Sequence, residues 1–325
     1  MGTAWIFTKL STDDRVSKPT LNLPGRKRPG FDYPPMKLPS LFRLVGAAGV
    51  GVLVLAGAPA LSAQTAASLK ASGLAKMKEG SLDDAIVDFT SAIALNPNDP
   101  TLYSNRAVAK TGQTNYGGAV EDYGAVIKLR PGQANGYLLR GLANLYMGNI
   151  AGAGQDCSKA IELEPSDATY YLYRGLVRDC DNDQAEAITD YAKAMELGAK
   201  TAPLMANYAQ IYRGLDLRKT GADASGDLGD YAAWTNPWTK AIAGYLSGKL
   251  TDAQFLASAG ASAKEDKTRQ REKAEAYYFT GRVHAQNGDT AGAKAAFSAS
   301  YDLQYPGDIQ RHLAQLEFEH LNAAH

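Results

Sequence analysis

The sequence predicts an all-α fold: a right-handed αα superhelix, or solenoid, of stacked helix pairs, with a C-terminal helical extension and a capping helix. Three observations predict it. The segments "IALNP", "IKLRP" and "IELEP" end at Pro97, Pro131 and Pro165, a period of 34 residues that fits two antiparallel helices and their turns. With those prolines at position 32, Gly73, Ala107, Gly141 and Gly175 fall at position 8, and Ala85, Ala119, Ala153 and Ala187 at position 20. Small residues are needed where two helices cross closely. Phe89, Tyr123, Cys157 and Tyr191 recur at position 24, where one apolar side chain is expected to plug the gap to the next unit.

Taken in order, residues 1–40, rich in Pro and charge, read as a disordered or artefactual extension, and 41–63 as a signal peptide or membrane anchor. A basic region runs into the uncharged stretch Leu44–Leu61 and then "SAQ", the layout of a secretory signal cut after small residues. Cleavage after Ala60 or Ala63 fits, and Met36 as the true start would give a signal of ordinary size. The chain is then exported and periplasmic. The other reading keeps residues 44–61 as an anchor, 18 apolar residues that just span a bilayer. Four glycines and Pro59 in that stretch weaken it as a helix.

Residues 64–200 hold four repeat units, and 201–325 a degenerate helical region with one late unit and the cap. Pro203–Gly221 reads as an amphipathic helix, and "ADASGD" after it as a polar loop. In Tyr231–Ala259 two Trp residues flank Asn-Pro, and Thr251 is a helix N-cap. The period returns in Ala274–Pro306, where Gly281, Gly288, Ala293 and Phe297 stand at positions 8, 15, 20 and 24. Asp308–Leu321 is the capping helix, which a stack of repeats needs to hide its open end.

Two charged columns accompany the apolar ones. Arg106, Arg140 and Arg174 lie at position 7, and Asp88, Asp122, Asp156 and Asp190 at position 23. Counting across the turn near position 32 pairs each arginine with the aspartate of the preceding unit: Asp88 with Arg106, Asp122 with Arg140, Asp156 with Arg174. These are read as structural ion pairs between units, because an arginine fork binds a carboxylate at two points. Asp190 would then face Tyr208, ending the ladder. The same counting puts Cys157 and Cys180 about 9 Å apart, beyond disulfide reach, as two free thiols.

These columns resemble the tetratricopeptide-repeat (TPR) superfamily over Thr65–Lys200. The Trp-Asn-Pro-Trp helix, "REKAEAYYFTG" and the closing "YPGDIQRHLAQLEFEHL" further resemble bacterial envelope TPR proteins of the NlpI type. That resemblance implies a non-enzymatic adaptor that docks envelope hydrolases or a protease. The chain departs from it in having Gln64, not a lipobox cysteine, after the signal. It would therefore be soluble rather than lipid-anchored.

TPR arrays bind extended peptides on a concave groove formed by inner-helix positions 2, 5, 6, 9 and 12 or 13. Here these supply Lys70, Asn105, Asn135, Leu138, Leu142, Leu145, Leu172, Tyr173 and Leu176. The six apolar members either form a greasy trough for a partner's segment or face the solenoid's own helices. "LYSNRA" is similar to TPR proteins that clamp a chaperone's C-terminal carboxylate. Lys70 and Asn105 match that clamp, but Leu74 replaces an Asn, and Asn135 and Leu139 replace Lys and Arg, so this reading is disfavoured.

The expected partners are thus proteins or peptides, with self-association as a further option. Outside the basic N-terminal part the chain is about five charges negative, which argues against nucleic acid. No cofactor or metal is expected, and no catalytic residue is assigned. GxSxG, GxxxxGK[ST] and HExxH are absent from the sequence. His284, His312, His320 and His325 lack ligand-spaced companions. A hydrolase or lytic factor in the C-terminal half would need a polar cleft around Trp234–Trp238.

Overall fold

The computed structural model describes residues 58–222, 226–261, 263–303 and 309–323, with side chains from residue 65 onward. The expectations for residues 1–57, and for His325, lie outside the described residues. Among the described residues, fourteen α-helices form the chain, and none is long and apolar enough to cross a membrane.

Four helix pairs come first: α1 (Ala58–Glu79) with α2 (Leu82–Leu95), α3 (Pro100–Gly112) with α4 (Tyr116–Leu129), α5 (Ala134–Tyr146) with α6 (Ile150–Leu163), and α7 (Ala168–Cys180) with α8 (Gln184–Thr201). Helix α1 runs through both candidate cleavage points, Ala60 and Ala63. Each pair packs antiparallel, and each outer helix also packs on the inner helix of the next unit, giving an all-α superhelix.

The turns explain why the period is kept. Position 15, after each inner helix, is left-handed: Gly80, Thr114, Gly148, Asn182 and Gly288 have φ of 81°, 61°, 75°, 59° and 77°. Position 16 closes the turn by donating its N–H back to the carbonyl of position 11, as Asn115 does to Lys110 and Asp183 to Arg178, both at 2.9 Å. Its side chain then caps the outer helix: Asn115, Asn149, Asp183 and Asp289 accept from the third helical N–H. One residue thus ends one helix and starts the next.

Small residues and rings interlock within a unit. A Cβ at Gly73 would meet the Phe89 ring at 2.7 Å, and one at Gly175 or Gly281 would meet Tyr191 or Phe297 at 2.5 Å. Position 24 therefore sits on position 8 of its own unit, closer than the inter-unit plug expected. Cys157 and Cys180 are both free thiols, and burial pushes the Cys157 thiol up to about 12.

After the fourth pair, α9 (Pro203–Lys219) stacks on α8 and α7 as a fifth inner helix. In place of a long outer partner come a 3-10 turn (Tyr231–Ala233) and two short helices, α10 (Pro237–Leu246) and α11 (Asp252–Ser258). Asn236 caps α10 and Pro237 opens it, while Thr251 and Gln254 close a reciprocal capping box on α11. Trp238 stacks on Phe255 at 5.5 Å, and Tyr245 on the same ring at 4.4 Å. The late unit is α12 (Asp266–Gln286) with α13 (Thr290–Asp302), and α14 (Ile309–Ala323) packs on both. One apolar cluster runs from Ala107 to Ala314, with a smaller one in the first unit around Phe89.

Candidate protein-binding surface

The charged columns come first because they decide what the inner helices leave free. Every column arginine binds an aspartate through both prongs of its guanidinium, but that aspartate belongs to the same unit. Arg106 Nε and Nη2 donate to Asp122 at 2.9 and 2.6 Å. Arg140 holds Asp156 at 2.9 and 2.6 Å, and Arg174 holds Asp190 at 2.9 and 2.7 Å. The pairing expected with the preceding unit is therefore corrected. Position 23 lies 16 residues from position 7 of its own unit and 18 from that of the next, too small a difference for spacing to choose. The structure turns the aspartates toward their own inner helix. Asp88 pairs with Lys76 at 2.8 Å rather than with Arg106, and Tyr208 donates to Glu275 rather than facing Asp190.

A third column, at position 11, backs up the arginines. Position 11 lies one turn beyond position 7, and Lys110 and Arg178 there contact Asp122 and Asp190 at 2.9 and 2.6 Å. Asn144 donates to Asp156 at 3.2 Å. What each arginine gives the preceding unit is a hydroxyl contact: Arg106 Nη1 to Thr90 at 3.0 Å and Arg174 Nη1 to Ser158 at 3.4 Å. Gly124 occupies the corresponding place before Arg140. The arginines also lie over Tyr103, Tyr137 and Tyr171, about one turn back. The Nε and Nη2 donors of all three are directed into the scaffold.

The expected groove residues divide into two groups. Leu138, Leu142, Leu145, Leu172, Tyr173 and Leu176 are all buried, none more than 4% exposed. They share one apolar cluster with Ile309, Leu313 and Ala314 of α14. An open trough on α5 and α7 is therefore corrected: this face is packed by the chain itself. The second group is nearer the N-terminus. Asn135 is half-buried, and Asn105 is largely buried. Lys70 binds Thr101 and lies 3.7 Å from Asp99, the cap of α3. Ala71 and Thr101 beside them are exposed.

Helix α14 makes polar contacts with three inner helices, α5, α9 and α12. His312 Nε2 donates to the Leu145 carbonyl at 3.0 Å on α5, its ring set edge-on to Tyr146 and Tyr116. Burial pushes this imidazole down to about 4, so it sits there neutral. Gln310 donates to the Tyr212 hydroxyl on α9 at 3.1 Å. Glu317 lies 3.3 Å from Arg282 on α12. Arg282 also holds Asp179 of α7 at 2.8 Å and Asp216 of α9 at 3.3 Å, and Lys219 stands 3.6 Å from Asp179. Burial, and then Asp179 beside it, push the Asp216 carboxyl up to about 8. At neutral pH the cluster balances two carboxylates, Asp179 and Glu317, against two cations.

Around Trp238, part of the segment where a catalytic cleft would be needed, the polar groups bind one another. Trp238 is buried and donates to Glu275, which is itself buried and also accepts from Tyr208 at 2.8 Å. His284 is held at both ring nitrogens, by Asp289 at 2.6 Å and Asp252 at 2.8 Å. Hydrogen bonding to Asp252, and then Asp289, raises its pKa. With both nitrogens engaged, it braces α11, α12 and α13. Among the described residues no group of three or more potential ligands could hold a metal ion.

The comparisons agree with this architecture. A model of the TPR repeat matches residues 73–113. Among solved structures, the chain is similar to a tetratricopeptide repeat protein from Parabacteroides merdae: 17% identity over 78% of this chain and 98% of that one, TM-score 0.52. This likeness shows the shared fold. It is also similar to pilF of Pseudomonas aeruginosa, at 16% identity over 79% of this chain and 99% of that one, TM-score 0.44. A third is the first TPR of Spaghetti (RPAP3), bound to an HSP90 peptide: 26% identity over 37% of this chain and 95% of that one, TM-score 0.35. No curated protein matches the chain significantly.

Proposed function

From the premise that this chain is a TPR solenoid, we propose that it is a non-enzymatic scaffold of the cell envelope, binding other proteins through its inner face. The observation that carries this reading is the uneven use of that face. The apolar residues of α5 and α7 are packed by the chain itself, while Ala71 on α1, Thr101 on α3 and the half-buried Asn135 at the start of α5 leave the N-terminal part of the wall accessible. A repeat protein that binds nothing has no need of an accessible inner wall. The envelope location rests on the basic-then-apolar layout ahead of residue 64 and on the resemblance to NlpI-type adaptors. Hydrolases or a protease of the envelope are the partners that resemblance suggests. The pairing of the arginines with aspartates and a match at two of five clamp positions disfavour a chaperone-type carboxylate clamp.

The test is capture from a periplasmic fraction with the mature chain, beside Ala71→Arg/Asn135→Arg, which alters the accessible wall without touching the core. A specific partner should be retained by the wild type and lost by the variant, with thermal melts unchanged. A partner held equally by both would discard the inner wall as the binding surface. Recovery of the protein only from the cytoplasm would discard the envelope location.

A further inference from the structure

The outer helices of the four regular units differ at one place beside the next inner helix. Position 21 holds Ile86, Val120 and Ile188 in the first, second and fourth units, but Gly154 in the third. Packing does not force that glycine: a Cβ there would meet only Val177 of α7, at an ordinary 3.7 Å. Glycine inside a helix is otherwise unfavourable. With no side chain at this place, a cleft of about 490 Å³ opens between α6 and α7. Three cations, Lys159, Arg174 and Arg178, line it with one acid, Glu162, and the hydroxyl of Ser158. Arg174 commits its Nε–Nη2 edge to Asp190. Arg178 reaches the same Asp190 through Nη1 alone, at 2.6 Å, and the same Nη1 meets Glu186. Its Nε and Nη2 make no hydrogen bond among the described residues. Asp190 thus has one cation more than Asp156, which Arg140 and the neutral Asn144 satisfy. The comparable surplus cation at Asp122 is Lys110, which has no planar edge, and the outer helix before it carries Ile86.

We propose that the cleft between α6 and α7 is a second docking site, which takes an acidic side chain of a partner protein on the free edge of Arg178. Two coplanar N–H groups match the two oxygens of a carboxylate. Asp190, Glu186 and Glu162 already neutralise the other donors, which leaves this edge as the place where an incoming carboxylate is bound. Ser158 accepts from Arg174 at 3.4 Å and keeps its own proton to donate. Outside its basic N-terminal part the chain is acidic, so an acidic segment is not drawn to the surface at large, and its recognition is local to the cleft. The proposal rests on the reading of the chain as a protein-binding scaffold. It shares no residue with the inner wall, so either surface can fail alone.

The test uses the full chain and a blocked tetraglutamate peptide carrying a neutral fluorophore, at low salt. Fluorescence anisotropy should show saturable binding to the wild type, and none of the tetraglutamine analogue. Arg178→Lys keeps the charge but removes the planar edge. Gly154→Val supplies the side chain that the second unit carries and fills the cleft. Each should weaken binding at least about tenfold, the worth of one bidentate charged contact. Thermal melts should stay close to wild type, since Arg174 still holds Asp190; if one variant fails to fold, the other decides. No saturable binding to the wild type, undiminished binding by a folded variant, or binding of tetraglutamine would each sink the idea. Displacement of the peptide by succinate at the peptide's own concentration would also overturn it, placing a small dicarboxylic acid there instead of a protein segment. None of these outcomes touches the inner wall, which is judged by capture with Ala71→Arg/Asn135→Arg.

Discussion

At the scale of single residues, the aspartates of position 23 are not equivalent, and the difference is measurable. Asp122 and Asp190 each touch two cations, whereas Asp156 has Arg140 and the neutral Asn144. Removing Arg140 strands a buried carboxylate; removing Arg106 or Arg174 leaves Lys110 or Arg178 in place. Arg140→Ala is expected to cost about 3 kcal/mol, and Arg106→Ala or Arg174→Ala about 1–2 kcal/mol. Urea unfolding of the three variants checks the order, and equal losses would contradict it. Asp216 gives a second expectation. Its folded pKa is raised to about 8 from 3.8, so between those values the folded chain holds a proton that the unfolded chain has released. The linked stability is fully present below 3.8 and is lost as pH rises through about 8, at up to about 1.4 kcal/mol per pH unit. Asp216→Asn keeps a neutral side chain of the same shape, so its stability relative to wild type should grow with pH. Denaturation curves that stay parallel from acid to alkaline pH would refute this. Both charged columns were legible in the sequence. Their pairing was not, because the two candidate partners lie almost equally far along the chain, 16 and 18 residues, and side-chain direction separates them.

At the scale of elements, the turn at position 15 shows how much a repeat relies on one backbone conformation. Glycine fills it at Gly80, Gly148 and Gly288, and Asn182 is the non-glycine residue that best tolerates it. Thr114 is branched at Cβ and held at φ 61°, a conformation such residues resist. Thr114→Gly is expected to stabilise the chain by about 0.5–1 kcal/mol, as relief of strain exceeds the added backbone entropy of glycine. Asn182→Gly should be close to neutral. Thermal melts of the two variants decide it, and a loss at Thr114 would show the residue is unstrained. The helices of the four regular units could be read from period and caps, since each boundary carries its own chemical signal. The segment from Tyr231 to Ala259 could be read only as helix and cap. Its short helices α10 and α11 fill the place of one long outer helix by stacking Trp238, Tyr245 and Phe255, an arrangement without a repeating pattern.

At the scale of the whole molecule, the sequence showed that the terminal helix is amphipathic but not what its apolar side covers. An amphipathic pattern specifies that a face is buried and leaves its partner open. The six apolar groove candidates and α14 were each legible alone; their meeting was not. That meeting also sets a contrast of distance along the chain. Helix pairing within the repeats joins neighbours: Arg106, Arg140 and Arg174 reach only 16 residues to their aspartates. The His312–Leu145 bond spans 167 residues, and Arg282 reaches 103 residues to Asp179. Closing loops of that length costs entropy that short hairpins avoid, and such contacts form late. On the ribosome α14 is made after everything it covers. The end of α5 that α14 touches, Leu145 and Tyr146, therefore lacks this cover while the rest of the chain is being synthesised, an interval in which another chain or a chaperone meets it first.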